Sequence, residues 1–511
     1  MSDARSVLQG AGTGADPAPP PAAGVGGRVL AGGRWSLANN IALRLGIFTS
    51  GLVLARLLSP QDYGVFAVAL VVLTLLQSMN ELGVSLAVVR WQADLRTFAP
   101  TVLTLAVASS AVLYVLCWTT APAIAAGMGA PSAAPVIRVL CVCVIVDGFA
   151  TVPNGILNRE FLQGRRLVCD VGCFCTTTAV TVTLAVRGHG AMSFAVGALA
   201  GSLVALTGVT LLAPTRIRPG WDPALVRPLL AFGLPLAGSS LLVLATTNVD
   251  KIIVGASLDP VALGLYLMAF NQSSWPLTVF SDAARRVSLA GFALLAHDRA
   301  ALERAFNRGL WLLLAVTVPV SVGLCVYADP MLRFLYGDRW SAAAPVLRWL
   351  AILGLVRVAL FVAYDLLVAL DRGRLLVILQ GTWMLVLVPA MVLGAHLDGI
   401  RGVGIAHVAV ALLVVVPAFG LALRRLGLRP SQVLRNGLRP VLGGLLAAAS
   451  AWPVLASTDG SLARLAIGGT VLLAVYLPIV APMQRLLPGR DADPRPTGRH
   501  IMSWTSRPET P

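Results

Sequence analysis

Several apolar stretches of this chain carry polar side chains at helical spacing, and these are the places where chemistry would sit. Thr74, Gln77, Ser78, Glu81 and Ser85 recur at intervals of three and four, which puts them on one face of a helix. About two hundred residues later Asn271, Ser274, Thr278, Ser281 and Arg285 repeat that spacing, with Asp282 and Arg286 beside them. Ser36, Asn40 and Arg44 form a row in the stretch before the first set. Asp250 and Lys251 end two rows, from Ser239 and from Ser240, in the stretch before the second. Arg357 and Tyr364 share a face, with Asp365 alongside, and Asp147 lies in a further apolar stretch.

A charged side chain at the middle of a bilayer costs about 2.5–3.5 kcal/mol on insertion scales, so each needs a partner or a wet cavity. The two polar faces fit a hydrated cavity lined by Asn40, Thr74, Gln77, Ser78, Asn271, Ser274, Thr278, Ser281 and Tyr364. They also fit hydrogen bonding between packed spans, where Ser and Thr commonly bridge helices. Arg44, Arg357, Arg285 and Arg286 are the cations that would attract an anionic head group, because guanidinium grips phosphate oxygens in a bidentate fork. The other readings for Arg44 and Arg357 are ion pairs with Glu81 or Asp365, or snorkelling to an interface. Glu81, Asp250, Asp365 and Asp147 are candidate ion-coupling groups, since low dielectric raises a carboxyl pKa toward the range where protons come and go. Each also has a structural reading, and His407 reads as a packed core residue. Cys141 and Cys143 are about 200° apart on a helix and cannot chelate from one face, so no metal, cofactor or catalytic residue is expected.

The elements that must position these groups follow from composition. The 511 residues are 57% hydrophobic and 12% charged, with a mean hydropathy of +0.81. A soluble chain would carry about a quarter charged residues, so the expected fold is an all-α polytopic membrane protein. Apolar segments of about 20 residues, enough for roughly 30 Å of hydrocarbon, number about fourteen. They divide the chain into a disordered cytoplasmic tail (1–33), a six-helix bundle (34–213), a cytoplasmic linker (214–229) and a second six-helix bundle (230–425). Two additional transmembrane helices (426–485) and a disordered basic tail (486–511) complete it.

The net charge of +16 would point to nucleic acid in a soluble protein, but here the arginines alternate with the spans. Inner loops hold Arg90 and Arg96, Arg159 to Arg166, Arg216 to Arg227, Arg285, Arg286 and Arg299 to Arg308, Arg372 and Arg374, and Arg424 to Arg439. Outer loops hold little beyond Arg56, Arg187, Arg333, Arg339, Arg401 and Arg464. This bias puts both termini in the cytoplasm and removes the need for a nucleic-acid partner. No outer loop is long enough to fold as a domain, so no catalytic module is attached.

The chain also repeats itself. Residues 54–85 read LARLLSPQDYGVFAVALVVLTLLQSMNELGVS, an apolar helix end, a Ser-Pro elbow and a second apolar helix. Shifted by about two hundred positions, Leu58 falls on Leu258, Pro60 on Pro260, Gly64 on Gly264 and Phe66 on Tyr266. FLQGRRL and VALDRGRLL form a second echo, each read as a Gly-Arg turn into the next span. Six spans separate the copies, an even number, so the halves are expected to be parallel repeats around a central cavity.

LARLLSPQDYGVFAVAL, NELGVSLAVVR, NVDKIIVGASLDPVALGLYLMAFN and YGDRWSAAAPVLRWLAILGL resemble the bacterial polysaccharide flippases, the Wzx-type exporters of the multidrug/oligosaccharidyl-lipid/polysaccharide superfamily. The chain carries Glu81 where that family more often has Asp before Leu-Gly. The resemblance implies two six-helix bundles around a cavity, with two further helices outside. It implies a polyprenyl-diphosphate-linked oligosaccharide as substrate, turned across the bacterial cytoplasmic membrane by alternating access for cell-surface polysaccharide synthesis. Membrane lipids, a proton or sodium gradient, and polymerases or glycosyltransferases are the implied partners. A small-molecule cation antiporter of the same fold is the first alternative, disfavoured by the number of candidate cavity arginines. An integral-membrane glycosyltransferase or polymerase is the second, disfavoured by the lack of a sizeable outer loop.

Overall fold

The structure is a computed structural model that describes residues 46–80, 95–160, 162–295, 298–428, 430–458 and 460–481. Among these residues there is no strand. The helices are α1 (Gly46–Leu57), α2 (Pro60–Asn80), α3 (Leu95–Gly127), α4 (Ala133–Leu140), α5 (Val142–Arg159), α6 (Gln163–Val186), α7 (Met192–Leu212) and α8 (Pro223–Ser257). They continue as α9 (Pro260–Leu294), α10 (Arg299–Val326), α11 (Ala328–Tyr336), α12 (Ala344–Ala369), α13 (Gly373–Val410), α14 (Val416–Arg425), α15 (Pro430–Ser457) and α16 (Ser461–Val480). Nine segments among the described residues are long and apolar enough to cross a membrane, so the chain is an all-α polytopic membrane protein.

Helix boundaries differ from the expected spans where arginines were read as helix ends. α9 runs on to Leu294, through the backbone of Arg285 and Arg286, and α10 begins at Arg299. α8 starts at Pro223, inside the expected linker, because proline is suited to a first helical position where its missing N–H is no loss. The arginines leave the helix intact. Conversely, α13 contains two spans folded at Asp398 and Gly399, whose φ values are −148° and 54°. Gly394 and Gly402 pack against each other's carbonyls across that fold, with no room for a side chain.

The described helices divide into two compact units. One comprises Met1–Leu57, Val72–Ala121 and Pro135–Leu244; the other Leu58–Val71, Pro122–Ala134 and Ala245–Pro511. In the first, α6 packs along α7 with the hydroxyls of Thr181 and Thr177 against Gly197 and Gly201. In the second, α9 packs on α12, α12 on α10, and α15 on α16.

Both elbows fall in the second unit and share a local design. At the first, the Ser59 hydroxyl and backbone N–H donate to Asp62 Oδ2 at 2.6 and 2.9 Å, while the Asp62 N–H donates to Ser59 Oγ at 3.2 Å. This is a reciprocal capping box, with Pro60 opening α2. At the second, Asp259 caps α9 by accepting from the Ala262 N–H at 2.7 Å. The two helix starts then cross: Gly64 lies on the carbonyl of Pro260 and Gly264 on that of Pro60. A Cβ at either glycine would fall inside the opposing carbonyl oxygen. Arg339 donates to the Leu58 carbonyl at 3.3 Å, and Trp340 meets Tyr63 edge to face at 5.0 Å, which fastens the crossing from a third side.

Gly64→Ala and Gly264→Ala are expected to cost about 1–3 kcal/mol each through overpacking at this crossing. Gly323→Ala, a helical glycine with open space at its Cβ, is expected to be neutral or stabilising by up to about 1 kcal/mol. Thermal unfolding of the three purified variants in detergent checks the ranking; a Gly323 variant as unstable as the other two would refute it.

Candidate functional site

Polar groups cluster in both units. In the first, Gln77 on α2 donates to Asp147 Oδ2 on α5 at 2.6 Å. One turn on, Asn80 is buried, accepts from the Ser109 and Ser110 hydroxyls of α3 at 3.1 and 2.8 Å, and donates to the Val144 carbonyl at 3.5 Å. Gly148 lets the Ser110 hydroxyl approach α5. Three helices are thus tied by neutral hydrogen bonds around one acid. Thr74 and Ser78 are half-buried on α2 nearby in sequence.

The second unit holds the cations. Asp250 on α8 is 3% exposed; its carboxylate accepts from Tyr266 Oη of α9 at 3.1 Å and from the Lys251 backbone N–H at 2.9 Å. The Lys251 ammonium makes no ion pair with Asp250 and instead donates to Asn248 Oδ1 at 2.9 Å. It lies 4.9 Å from the centre of the Phe270 ring. Arg357, on α12, brings its guanidinium 5.6 Å from the same ring. Cation–π attraction of this kind contributes about 0.5–2 kcal/mol, the larger values where water is excluded.

Phe270 is ten residues into α9, about 15 Å along the helix from the elbow at 1.5 Å per residue. Arg357 is near the middle of α12. Among the described residues it forms no ion pair, with Asp365 or any other acid. Asp365 itself is fully buried. Two positive charges therefore share one aromatic ring, with Asp250 held by Tyr266. Beside them Gln272 donates to Tyr336 Oη at 2.5 Å, and Tyr364 is half-buried on α12.

The residues singled out from sequence are distributed as follows. Arg44, Asn40 and Glu81 lie outside the described residues, and for Thr278, Ser281, Arg285 and Arg286 only the backbone of α9 is described. Ser274 is half-buried and Asn271 exposed. Gln77 and Asp147 come together, as do Asp250, Lys251 and Arg357 around Phe270 and Tyr266. Tyr266, Phe270, Gln272 and Tyr336 were not singled out, and only Tyr266 had a signal, its place in the repeat. His407 is buried against Trp383 with ring centres 6.4 Å apart, a core position.

Tyr266→Phe is expected to destabilise the protein by about 1.5–3 kcal/mol, the range for a hydrogen bond to a charged group. Combined with Asp250→Asn the loss should be less than additive, because both changes remove one contact. Thermal unfolding of the double-mutant cycle measures the coupling, and strict additivity would show that the contact contributes nothing.

Residues 53–345, more than half the chain, match the family described as polysaccharide biosynthesis protein. The lipopolysaccharide biosynthesis protein WzxC of Escherichia coli K12 is 24% identical over 76% of this chain and 79% of its own length. The succinoglycan biosynthesis transport protein ExoT of Rhizobium meliloti is 26% identical over 60% of this chain and 62% of its own. In fold, the chain resembles the lipid II flippase MurJ in its inward closed conformation, with a TM-score of 0.72 at 16% identity over 88% of this chain and 99% of that one. A multidrug resistance MATE family transporter of the MOP superfamily, in an inward-facing conformation, gives a TM-score of 0.60 at 18% identity over 75% of this chain and 94% of that one. The helical architecture, the doubled capped elbow and the extent of the family match agree, and the chain belongs to the polysaccharide biosynthesis protein family of membrane proteins.

Proposed function

We propose that this chain is a flippase that moves a lipid-linked oligosaccharide, carried on a polyprenyl diphosphate, across the bacterial cytoplasmic membrane for cell-surface polysaccharide synthesis. The observation that carries the reading is the pair of cations, Lys251 and Arg357, on the Phe270 ring. Two positive charges against one ring favour an anionic ligand, whose charge offsets their mutual repulsion. A diphosphate supplies the charge and fits the forked guanidinium. The names of the relatives, lipopolysaccharide biosynthesis and succinoglycan transport, support the same class of substrate.

The lipid tail remains in hydrocarbon while the head group passes, by alternating access, between exposure to the two sides. Asp250, Asp365 and Asp147 are the described acids available for coupling to a proton or sodium gradient. The arginine-rich loops orient both termini to the cytoplasm. A cation antiporter would need an acid at the site in excess of cations. Around Phe270 the cations outnumber Asp250, whose carboxylate is already bonded to Tyr266.

Deletion of the gene should cause one lipid-linked saccharide to accumulate in the inner leaflet, identifiable by mass spectrometry of extracted lipids. Arg357→Ala should reproduce the accumulation and reduce surface polysaccharide at least about tenfold, the effect of losing one charge-assisted contact, while membrane levels stay normal. Normal surface polysaccharide in Arg357→Ala would remove this residue from the site.

A further inference from the structure

A second basic feature lies away from Phe270, at the end of the second unit where α12 turns into α13. There a cleft of about 640 Å³ is lined by Asp371, Arg372, Arg374 and Leu375 of that turn and by Arg425 and Leu426 at the end of α14. The three arginines are exposed, and none forms an ion pair among the described residues. Arg299, at the start of α10, lays its guanidinium on Gly427, next to Leu426, and adds a fourth cation.

The backbone there is built with care. Leu428 donates to the Leu423 carbonyl and Gly427 to that of Arg424, and Gly427 has a φ of 77°, so α14 ends in a Schellman turn. α12 ends in the same way, with Arg372 donating to Leu367 and Asp371 to Val368. Here the left-handed position is Asp371, φ 55°, the one non-glycine residue with positive φ among the described residues. A glycine would adopt this conformation without the roughly 1 kcal/mol of strain, although Gly373 stands only two positions away. The turn thus places a carboxylate at the mouth of an arginine cleft at some cost in backbone energy. The N-terminus of α13, whose first N–H groups face the cleft's end of the helix, contributes further positive potential.

What runs away from the cleft identifies its ligand. Ile378 and Leu385 follow Arg374 on α13 at spacings of four and eleven, within about 40° of the same face. They are 63% and 77% exposed, and Val377 beside them 74%. On α14, Leu421, one turn before Arg425, is 57% exposed. In a membrane protein such surfaces face acyl chains. We propose that this cleft binds the head-group phosphate of an anionic phospholipid, with the acyl chains lying along Val377, Ile378 and Leu385, and that Asp371 tempers the affinity. By the charge placement of the loops this is the cytoplasmic leaflet, where basic pockets between spans take acidic lipid head groups. The proposal needs the fold and the membrane, and stands apart from the transported substrate.

The full-length protein in detergent is titrated with phosphatidylglycerol, phosphatidylcholine and inorganic phosphate, reading lipid binding by native mass spectrometry and thermal stability. Phosphatidylglycerol should bind and stabilise, with phosphatidylcholine and phosphate giving no comparable shift. The triple variant Arg372→Gln, Arg374→Gln, Arg425→Gln should bind phosphatidylglycerol on the order of tenfold more weakly. Asp371→Gly should bind it roughly two- to threefold more tightly, and because this change relieves backbone strain it tests the site even if the triple variant misfolds. Arg401→Gln, at an exposed pair with Asp398, should respond as the wild type does. Equal affinity in wild type and the triple variant, or no tightening in Asp371→Gly, overturns the site. An equal shift with inorganic phosphate overturns the lipid as its ligand.

Discussion

Hydrocarbon has no hydrogen-bond partners to offer, so a polar side chain within the membrane must be answered from inside the protein. The two polar clusters differ in how completely that is done. Gln77, Asn80, Ser109, Ser110 and Asp147 bond to one another across three helices at 2.6–3.1 Å. Each such contact contributes about 0.5–1.5 kcal/mol net, enough to fix helix packing and too little to demand a ligand. An arginine at mid-membrane costs about 2.5–3.5 kcal/mol; among the described residues the Arg357 guanidinium lies against the ring of Phe270, which the Lys251 ammonium also approaches. The first cluster is tied together by these bonds, whereas the second brings two cations onto one aromatic ring.

The elbows supply the geometry that makes the second cluster possible. A helix start capped by Ser59 or Asp259 is fixed in direction, and the mutual approach of Gly64 and Gly264 fixes the two starts against each other. α9 leaves that crossing with Tyr266 and Phe270 one turn apart on one face, their rings stacked at 6.2 Å. Tyr266 reaches back to Asp250 on α8 while Phe270 receives Lys251 and Arg357. A shift of the crossing by a single side chain would carry all of these contacts with it.

Much of this was written in the sequence, and the remainder has identifiable causes. Ser-Pro and Asp-Pro before an apolar run are local capping signals, so the elbows could be read without tertiary information. The echo of Gly-Arg segments was also legible, but its meaning was not. Gly164 and Gly373 lie in the first turns of α6 and α13, and the left-handed turn before α13 falls on Asp371, a residue that no composition rule nominates. Gln77 and Asp147 were both visible as intramembrane polar residues, yet 70 positions separate them and only packing brings them together. Phe270 was invisible as a site residue because an aromatic in an apolar helix carries no polar signal. Arg285 and Arg286 read as a loop, but the helix continues through them to Leu294, because arginine is a good helix former.

Guanidinium groups serve both the cluster around Phe270 and the α12–α13 cleft, but the dielectric changes how strongly their charges interact. Two charges 4 Å apart interact by about 4 kcal/mol at an effective dielectric of 20 and about 1 kcal/mol in water. Around Phe270 the described charges are the cations Lys251 and Arg357 and the Asp250 carboxylate. At the membrane surface screening reduces each contribution, and the cleft gathers Arg372, Arg374 and Arg425, with Arg299 behind them. The same logic explains why Asp371 is tolerable there: one carboxylate beside several screened cations trims affinity without cancelling it. Around Phe270 the Asp250 carboxylate keeps its charge while Tyr266 fixes its position, so it offsets one of the two cations.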